Sequence, residues 1–218
     1  MLSNDRNFKY LIFDLDETLY PSDSGLLQEI NRRISQFISE LLDIPFREAD
    51  VMRESLNHKY GTTLRGLRTD YQINVDEYLK YVHEIPLEKY IDPAPWLRTM
   101  LISIPLLKVV FTNSDIVHAN RVLERLGVRD LFSLIFDVHA MDFQNKPSSQ
   151  VYSALLTTLD AKGSQCIFVD DSVRNLQIAK KEFNMFTILI SSQSLSFDGV
   201  DVILNDLNLL ETILMSIL

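Results

Sequence analysis

The sequence predicts an α/β fold, a doubly wound parallel sheet that carries an all-helical insertion. Three observations predict it. Six short runs rich in Ile, Val, Phe and Leu recur along the chain, as strands buried on both faces of a parallel sheet do. Amphipathic helical stretches alternate with the later runs. Residues 21–92 have helical spacing throughout and contain no strand run.

The first run is 9–13 (KYLIF), which ends in DLDET. The insertion follows directly. Leu27, Ile30, Ile34, Phe37, Ile38 and Leu41 recur at helical spacing over 26–42. Further helices are expected over 46–60 and 74–84, with a basic, glycine-bearing stretch (GTTLRGLR) between them. Pro21 opens the insertion, and Pro86, Pro93 and Pro95 close it, punctuation that suits hinges to a small mobile domain.

The second run, 108–112 (KVVFT), leads to a helix over 116–126 with Val117, Val122, Leu123 and Leu126 on one side and Gly127 as its stop. The third run, 133–138 (SLIFDV), precedes a helix over 147–159 opened by Pro147 and Ser148. The fourth run, 166–169 (CIFV), is followed by a helix over 174–183. Runs 186–190 (FTILI) and 200–204 (VDVIL) come next. A last helix over 206–217 carries an apolar face that suits either core or interface. Residues 1–20 and about 93–218 should therefore form a Rossmann-like doubly wound core domain, and 21–92 a small helical one.

Composition narrows the function. The 218 residues include 21 Lys+Arg and 30 Asp+Glu, a net charge of −9. That balance opposes a role on nucleic acid or on an anionic membrane, both of which call for a basic surface. No stretch of about 18 apolar residues suggests a membrane span, and MLSNDRNFKY does not read as a secretory signal. Cys166 is the single cysteine, so neither an intramolecular disulfide nor a multi-cysteine zinc site is available, and a cytoplasmic location is expected. Cys166, at the start of a strand, should be a small core residue. Trp96 should pack, and His83, His118 and His139 lack metal-ligand spacing and read as ordinary surface, helix or loop residues. Dinucleotide, P-loop and serine-hydrolase motifs are absent from the sequence.

The chemistry-bearing residues gather at strand ends. Asp14 and Asp16 follow the first strand at i and i+2, so their carboxylates point to one side, at the sheet edge where open α/β folds bind ligands. The second strand ends in Thr112, Asn113 and Ser114; Lys146 precedes a helix; the fourth strand ends in Asp170, Asp171 and Ser172. Read singly, Thr112 and Asn113 suit a helix cap, Lys146 a surface lysine, and Asp170–Ser172 another cap. Read together, they suit phosphoryl transfer through an aspartate. One carboxylate attacks phosphorus, and a second protonates the leaving alkoxide and then activates water. A hydroxyl and a lysine hold the phosphoryl oxygens, and a hard divalent cation offsets the crowded negative charge.

FDLDET, TNS, KP and VDDSVRN, in this order, resemble the four signatures of the haloacid dehalogenase-like (HAD) hydrolase superfamily. The resemblance spans essentially the whole chain. It implies Asp14 as nucleophile, Asp16 as general acid/base, Thr112 with Asn113 as phosphate binders, and Lys146 as the group that neutralises phosphate and nucleophile. It implies Mg2+ held by Asp14, the backbone carbonyl of Asp16, and Asp171, with Asp170 the less certain ligand and Asn175 in the outer shell. Asp16 favours phosphate-ester hydrolysis over dehalogenation, because a departing halide needs no proton. Glu17 and Thr18 complete the DxDxT form, with Thr18 expected to hydrogen-bond locally. The insertion resembles the cap domain of this superfamily. Because four acids stand at one sheet edge, the metal-free site should repel phosphate.

The stretches KYGTTLRGL (59–67) and PLEKYIDPAPWLRTML (86–101) resemble the pyrimidine 5′-nucleotidase branch. That resemblance implies a nucleoside monophosphate such as UMP or CMP as substrate and makes Tyr60, Arg65 and His58 cap candidates for contacting it. Tyr60 equally suits a core aromatic, and Arg65 a surface or hinge-pairing charge. Two alternatives remain open: a phosphatase for a sugar phosphate or phosphoglycolate, and, from another class, a phosphoryl-accepting or inactive binding protein. Either a monomer or a homodimer fits the sequence.

Overall fold

The computed structural model describes residues 7–193 and 196–218. Most of the N-terminal segment read for a secretory signal, residues 1–6, lies outside the described residues. Six strands form one parallel sheet: β1 (Tyr10–Phe13), β2 (Leu107–Phe111), β3 (Phe132–Phe136), β4 (Cys166–Asp170), β5 (Phe186–Ile190) and β6 (Val202–Leu204). Their spatial order is β3-β2-β1-β4-β5-β6. All six expected runs form strands. The topology reverses at β1, which lies between β2 and β4; such a switch point opens a crevice at the carboxyl ends of the strands.

Register levels those ends. Phe13 lies opposite Val110 of β2 and Val169 of β4. The Asp14 N–H donates to the Val169 carbonyl (2.9 Å), and the Thr112 N–H to that of Phe136 (3.1 Å). The chain therefore leaves the sheet at Asp14, Thr112 and Asp170 along a single edge.

The strands alternate between two apolar layers with the period of two that a pleat requires. Leu11, Phe13, Val110, Ile167 and Val169 belong to one layer. It is completed by Leu97 and Leu101 of α5 (Pro95–Ser103), Val122 and Leu123 of α6 (Ile116–Leu126), and residues near the C-terminus. Ile12, Val109, Phe111 and Phe168 face the other layer, with Tyr152 and Leu155 of α7 (Ser149–Thr158) and Leu176 of α8 (Val173–Phe183). Phe13 and Phe111 are fully buried, and truncating either to Ala should cost about 3–5 kcal/mol.

Between β1 and β2 the chain forms four further helices. We number them α1 (Leu26–Leu42), α2 (Phe46–Tyr60), α3 (Thr63–Tyr71) and α4 (Val75–His83). Helix α3 occupies the basic, glycine-bearing stretch between the helices expected over 46–60 and 74–84. Gly66 lies inside it because a Cβ there would come within 2.9 Å of Leu56 Cδ2 and Tyr60 Cδ2. This glycine serves close helix approach rather than a turn, so its local signal misleads. The apolar layers continue into the insertion: Leu26 and Ile30 join the first, and Ile38, Leu56, Leu64 and Leu67 join the second.

Several expectations need correction. Val117 is 65% exposed, and His118 takes the buried position beside it. Helix α7 begins at Ser149, after a cis Lys146–Pro147 bond, so Pro147 lies in the preceding turn. The 206–217 segment is a 3-10 turn (Leu207–Leu209) followed by α9 (Leu210–Met215), which buries Leu210 and Leu214 and exposes Met215. Trp96 is 42% exposed at the start of α5. No helix among the described residues is long and apolar enough to cross a membrane.

Candidate active site

Lys146 is the hub of the sheet edge. Its Nζ donates to Asp14 Oδ1 (2.6 Å) and Asp170 Oδ2 (2.9 Å), with both carboxylates buried. Burial pulls the ammonium pKa down, but the Asp14 and Asp170 charges and hydrogen bonds outweigh it and raise it above the ordinary lysine value. The backbone aims this side chain. The Lys146 N–H donates to Asn113 Oδ1 (2.8 Å), and the Lys146 carbonyl accepts from Asn145 Nδ2 (2.8 Å). Asn113 thus ties the end of β2 to the loop that delivers the lysine.

Asp14, Asp170 and Asp171 bring one carboxylate oxygen each within 4.8 Å of one another. Burial raises the Asp14 pKa well above the usual range; Lys146 opposes this, and the Asp170, Asp171 and Asp16 charges add to it. The Asp171 carboxyl is pushed up to about 7, first by burial and then by Asp170. Three carboxylates facing one ammonium make an all-oxygen donor set short of positive charge, which fits a hard divalent cation. Their availability differs. Asp170 accepts from Lys146, from Asn175 Nδ2 at both oxygens (3.0 Å each) and from the Ser172 N–H (2.7 Å). Asp14 Oδ2 has no such partner among the described residues, and Asp171 is engaged there by a backbone N–H but by no side-chain donor. Asn175 therefore orients Asp170.

Asp16 lies two residues from Asp14 in a different environment. Tyr20 Oη donates to its Oδ1 (2.8 Å), Ser114 Oγ to its Oδ2 (2.7 Å), and His118 Nε2 lies 3.1 Å from Oδ1. Burial would raise this carboxyl, but the charge and hydrogen bond of His118, with the two hydroxyls, hold it well below the ordinary range. The chain turns away after Asp16 at Glu17, whose φ is +59°, a left-handed conformation costly for a side-chain-bearing residue. Thr18 Oγ1 is buried without a hydrogen-bond partner among the described residues, against the expected local bond. Thr112 is buried, and its Oγ1 accepts from the Ser114 N–H (3.0 Å), which leaves the hydroxyl hydrogen to point elsewhere.

Two histidines read as ordinary residues are buried here. His118 is 0% and His83 8% exposed, and their rings stack with centroids 4.2 Å apart. His139 is exposed. His118 and Tyr20 were not among the expected site residues, and Ser114 was expected only as a donor at the end of its strand, with no partner named. A signal existed: Tyr20 follows Asp16, and His118 follows Ser114, at i+4, the spacing that puts side chains on one face of a turn. Cys166 is fully buried, and burial pushes its thiol up to about 12, as a core cysteine should behave.

The insertion candidates make no hydrogen bond to this cluster among the described residues. Tyr60 donates to Asp70 Oδ1 (2.6 Å), His58 is exposed near the end of α2, and Arg65 is half-buried in the first turn of α3. Gly61, next to Tyr60, packs against the site loop: a Cβ there would lie 2.6 Å from Asn145 Nδ2, beside Lys146. A cavity of about 830 Å³ opens next to Asp171, with Glu17, Tyr20, Trp96, Ser191 and Asn205 among its walls; Tyr60, Arg65 and His58 are not among them.

A family model described as a haloacid dehalogenase-like hydrolase matches residues 8–181. The chain is similar to Phosphate metabolism protein 8 of Saccharomyces cerevisiae, 30% identical over 186 residues that cover 78% of this chain and 58% of the relative. The chain thus spans little more than half of that relative's length. Among solved structures it is similar to a HAD phosphatase from Thermococcus onnurineus, with a TM-score of 0.67 and 18% identity over 95% of this chain and 98% of the other. It is also similar to CbbY from Rhodobacter sphaeroides in complex with phosphate, with a TM-score of 0.66 and 19% identity over 91% and 94%. At these identities the structural likeness shows the fold.

Proposed function

The chain belongs to the haloacid dehalogenase-like hydrolases, and from that premise we propose that it is a Mg2+-dependent phosphomonoesterase working through an aspartyl-phosphate on Asp14. The observation that carries this reading is the pair of unlike carboxylates at the end of β1. Asp14 is salt-bridged to Lys146 beside two further acids, whereas Asp16 is held by neutral donors and an imidazole. A nucleophile and a separate proton-transfer group are what ester cleavage needs.

In this reading Asp14 Oδ2 attacks phosphorus, and the bond from phosphorus to the ester oxygen breaks. Asp16 takes up a proton from solvent and gives it to the departing alkoxide, which leaves the anion that Tyr20, Ser114 and His118 stabilise. It then takes a proton from the water that hydrolyses the acyl phosphate, which regenerates Asp14 and releases phosphate. Lys146 neutralises Asp14 and a phosphoryl oxygen, and the Thr112 hydroxyl donates to another. Asp14, the Asp16 carbonyl and Asp171 would hold the Mg2+, which supplies positive charge against the phosphoryl oxygens. Asp170, whose oxygens are already engaged, holds Lys146 in line.

We assign residues 21–92 as the cap, with 1–20 and 93–218 as the catalytic core. A pyrimidine nucleoside monophosphate is the favoured substrate, on the resemblance of 59–67 and 86–101 to that branch. The test is phosphate release from a panel of phosphorylated metabolites with Mg2+ and with EDTA. Release from UMP and CMP above sugar phosphates and phosphoglycolate, lost in EDTA, is expected. UMP among the poorest substrates would remove the nucleotidase preference, and activity undiminished by EDTA would remove the metal.

A further inference from the structure

We propose that His118 is a positioning residue for Asp16, holding the carboxylate so that Oδ2 faces the departing ester oxygen. The inference rests on the phosphatase reading above. His118 is fully buried, and its Nδ1 has no hydrogen-bond partner among the described residues. A buried imidazole with one nitrogen unsatisfied is a poor choice for packing, where an apolar side chain would be more stable. The ring's one polar contact among the described residues is Nε2 to Asp16 Oδ1 at 3.1 Å. An ionised carboxylate only accepts, so Nε2 carries the hydrogen.

The ring is braced by its neighbours without using Nδ1. It stacks on His83 at 4.2 Å with an interplanar angle of 20°. His83 Nδ1 in turn lies 2.5 Å from Asp115 Oδ2. The other oxygen of Asp115 accepts from the backbone N–H of Val117 (2.8 Å) and of His118 itself (2.9 Å). One carboxylate thus pins both the His118 backbone and the ring stacked on it. Arg121 grips the carbonyls of His83 and Ile85 at 2.5 Å each, which fixes the end of α4 against α6.

The consequence for Asp16 is geometric. A carboxylate offers about four lone-pair sites. Tyr20 and His118 fill both sites on Oδ1, and Ser114 fills one on Oδ2. The remaining Oδ2 lone pair is the position for the transferred proton. Without His118, Oδ1 regains an open site and the carboxylate can turn.

The test uses kcat/KM, which reports steps through alcohol release, on two esters. An alkyl phosphate needs its leaving oxygen protonated; p-nitrophenyl phosphate does not. For His118→Leu, kcat/KM on the alkyl ester should fall about tenfold or more, with a much smaller fall on the aryl ester. His118→Gln, which keeps an N–H donor, should recover most of the alkyl activity. Equal losses on both esters, or a Gln variant no better than Leu, would overturn the proposal. If His118→Leu does not fold, 15N NMR of the wild-type imidazole decides: a hydrogen on Nε2 supports the proposal, and one on Nδ1 alone removes it. Wild-type protein inactive on both esters would count against the phosphatase reading, while the NMR result would still judge the His118 contact.

Discussion

Asp14 and Asp16 stand two residues apart at the end of one strand, and their surroundings differ in nearly every respect. Asp14 meets formal charges: one ammonium, two more carboxylates and a dry environment that raises its pKa. Asp16 meets two hydroxyls and an imidazole that stabilise its anion. The lesson is that role follows environment rather than residue type. The acid crowded by like charge is the one that a cation would complete. The acid surrounded by donors is the one whose orientation is set in advance.

The largest effect should come from the charged flank. Asp14→Asn removes the proposed nucleophile and should lower phosphate release by at least about 10³-fold, measured as turnover of a generic ester; a smaller loss would break the assignment of roles. Lys146→Met leaves Asp14 and Asp170 buried without their cation. Removing one partner of a buried pair costs about 3–5 kcal/mol, so urea denaturation without Mg2+ should show a loss of that order. Added Mg2+ should restore part of it, and an unchanged midpoint would mean that water reaches these acids.

On the other flank the effects should be smaller and selective. Asp16→Asn should cost about 10²-fold in kcat/KM on alkyl phosphates and less on p-nitrophenyl phosphate; equal losses would merge the two roles. Ser114→Ala removes one of three donors to Asp16. A hydrogen bond to a charged group is worth about 1.5–3 kcal/mol, partly replaceable by water, so a loss within about tenfold is expected on alkyl esters. A loss as large as that of Asp14→Asn would show that the two flanks act as one unit.

Much of this was legible in the sequence because it depends on local pattern. Each apolar run became a strand, since a short Ile/Val/Phe segment without polar alternation is stable only when both faces are covered. The ends of β1, β2 and β4, and the loop before α7, were legible as the carriers of acids, hydroxyl and lysine. Helix α6 matched its expected bounds, Ile116–Leu126, because Gly127 (φ +77°) and the Asp115 cap are signals within the chain itself.

Other features had no such signal. Helix α3 had no bounds of its own in the sequence because Gly66 reports contact with Leu56 and Tyr60, not its own turn. His83 and His118 are 35 positions apart, so composition and spacing read each as an isolated polar residue; folding α4 against α6 stacks them. The difference in free oxygens between Asp170 and Asp171 likewise comes from Asn175, Ser172 and Lys146 occupying the oxygens of Asp170. The sequence by itself determined the order of strands along the chain and which side chains end them, because both follow from periodicity and from short-range backbone preference. Only the tertiary structure decided which carboxylate faces charge and which faces hydrogen-bond donors, because those partners come from segments up to 132 positions away and burial sets the strength of each contact.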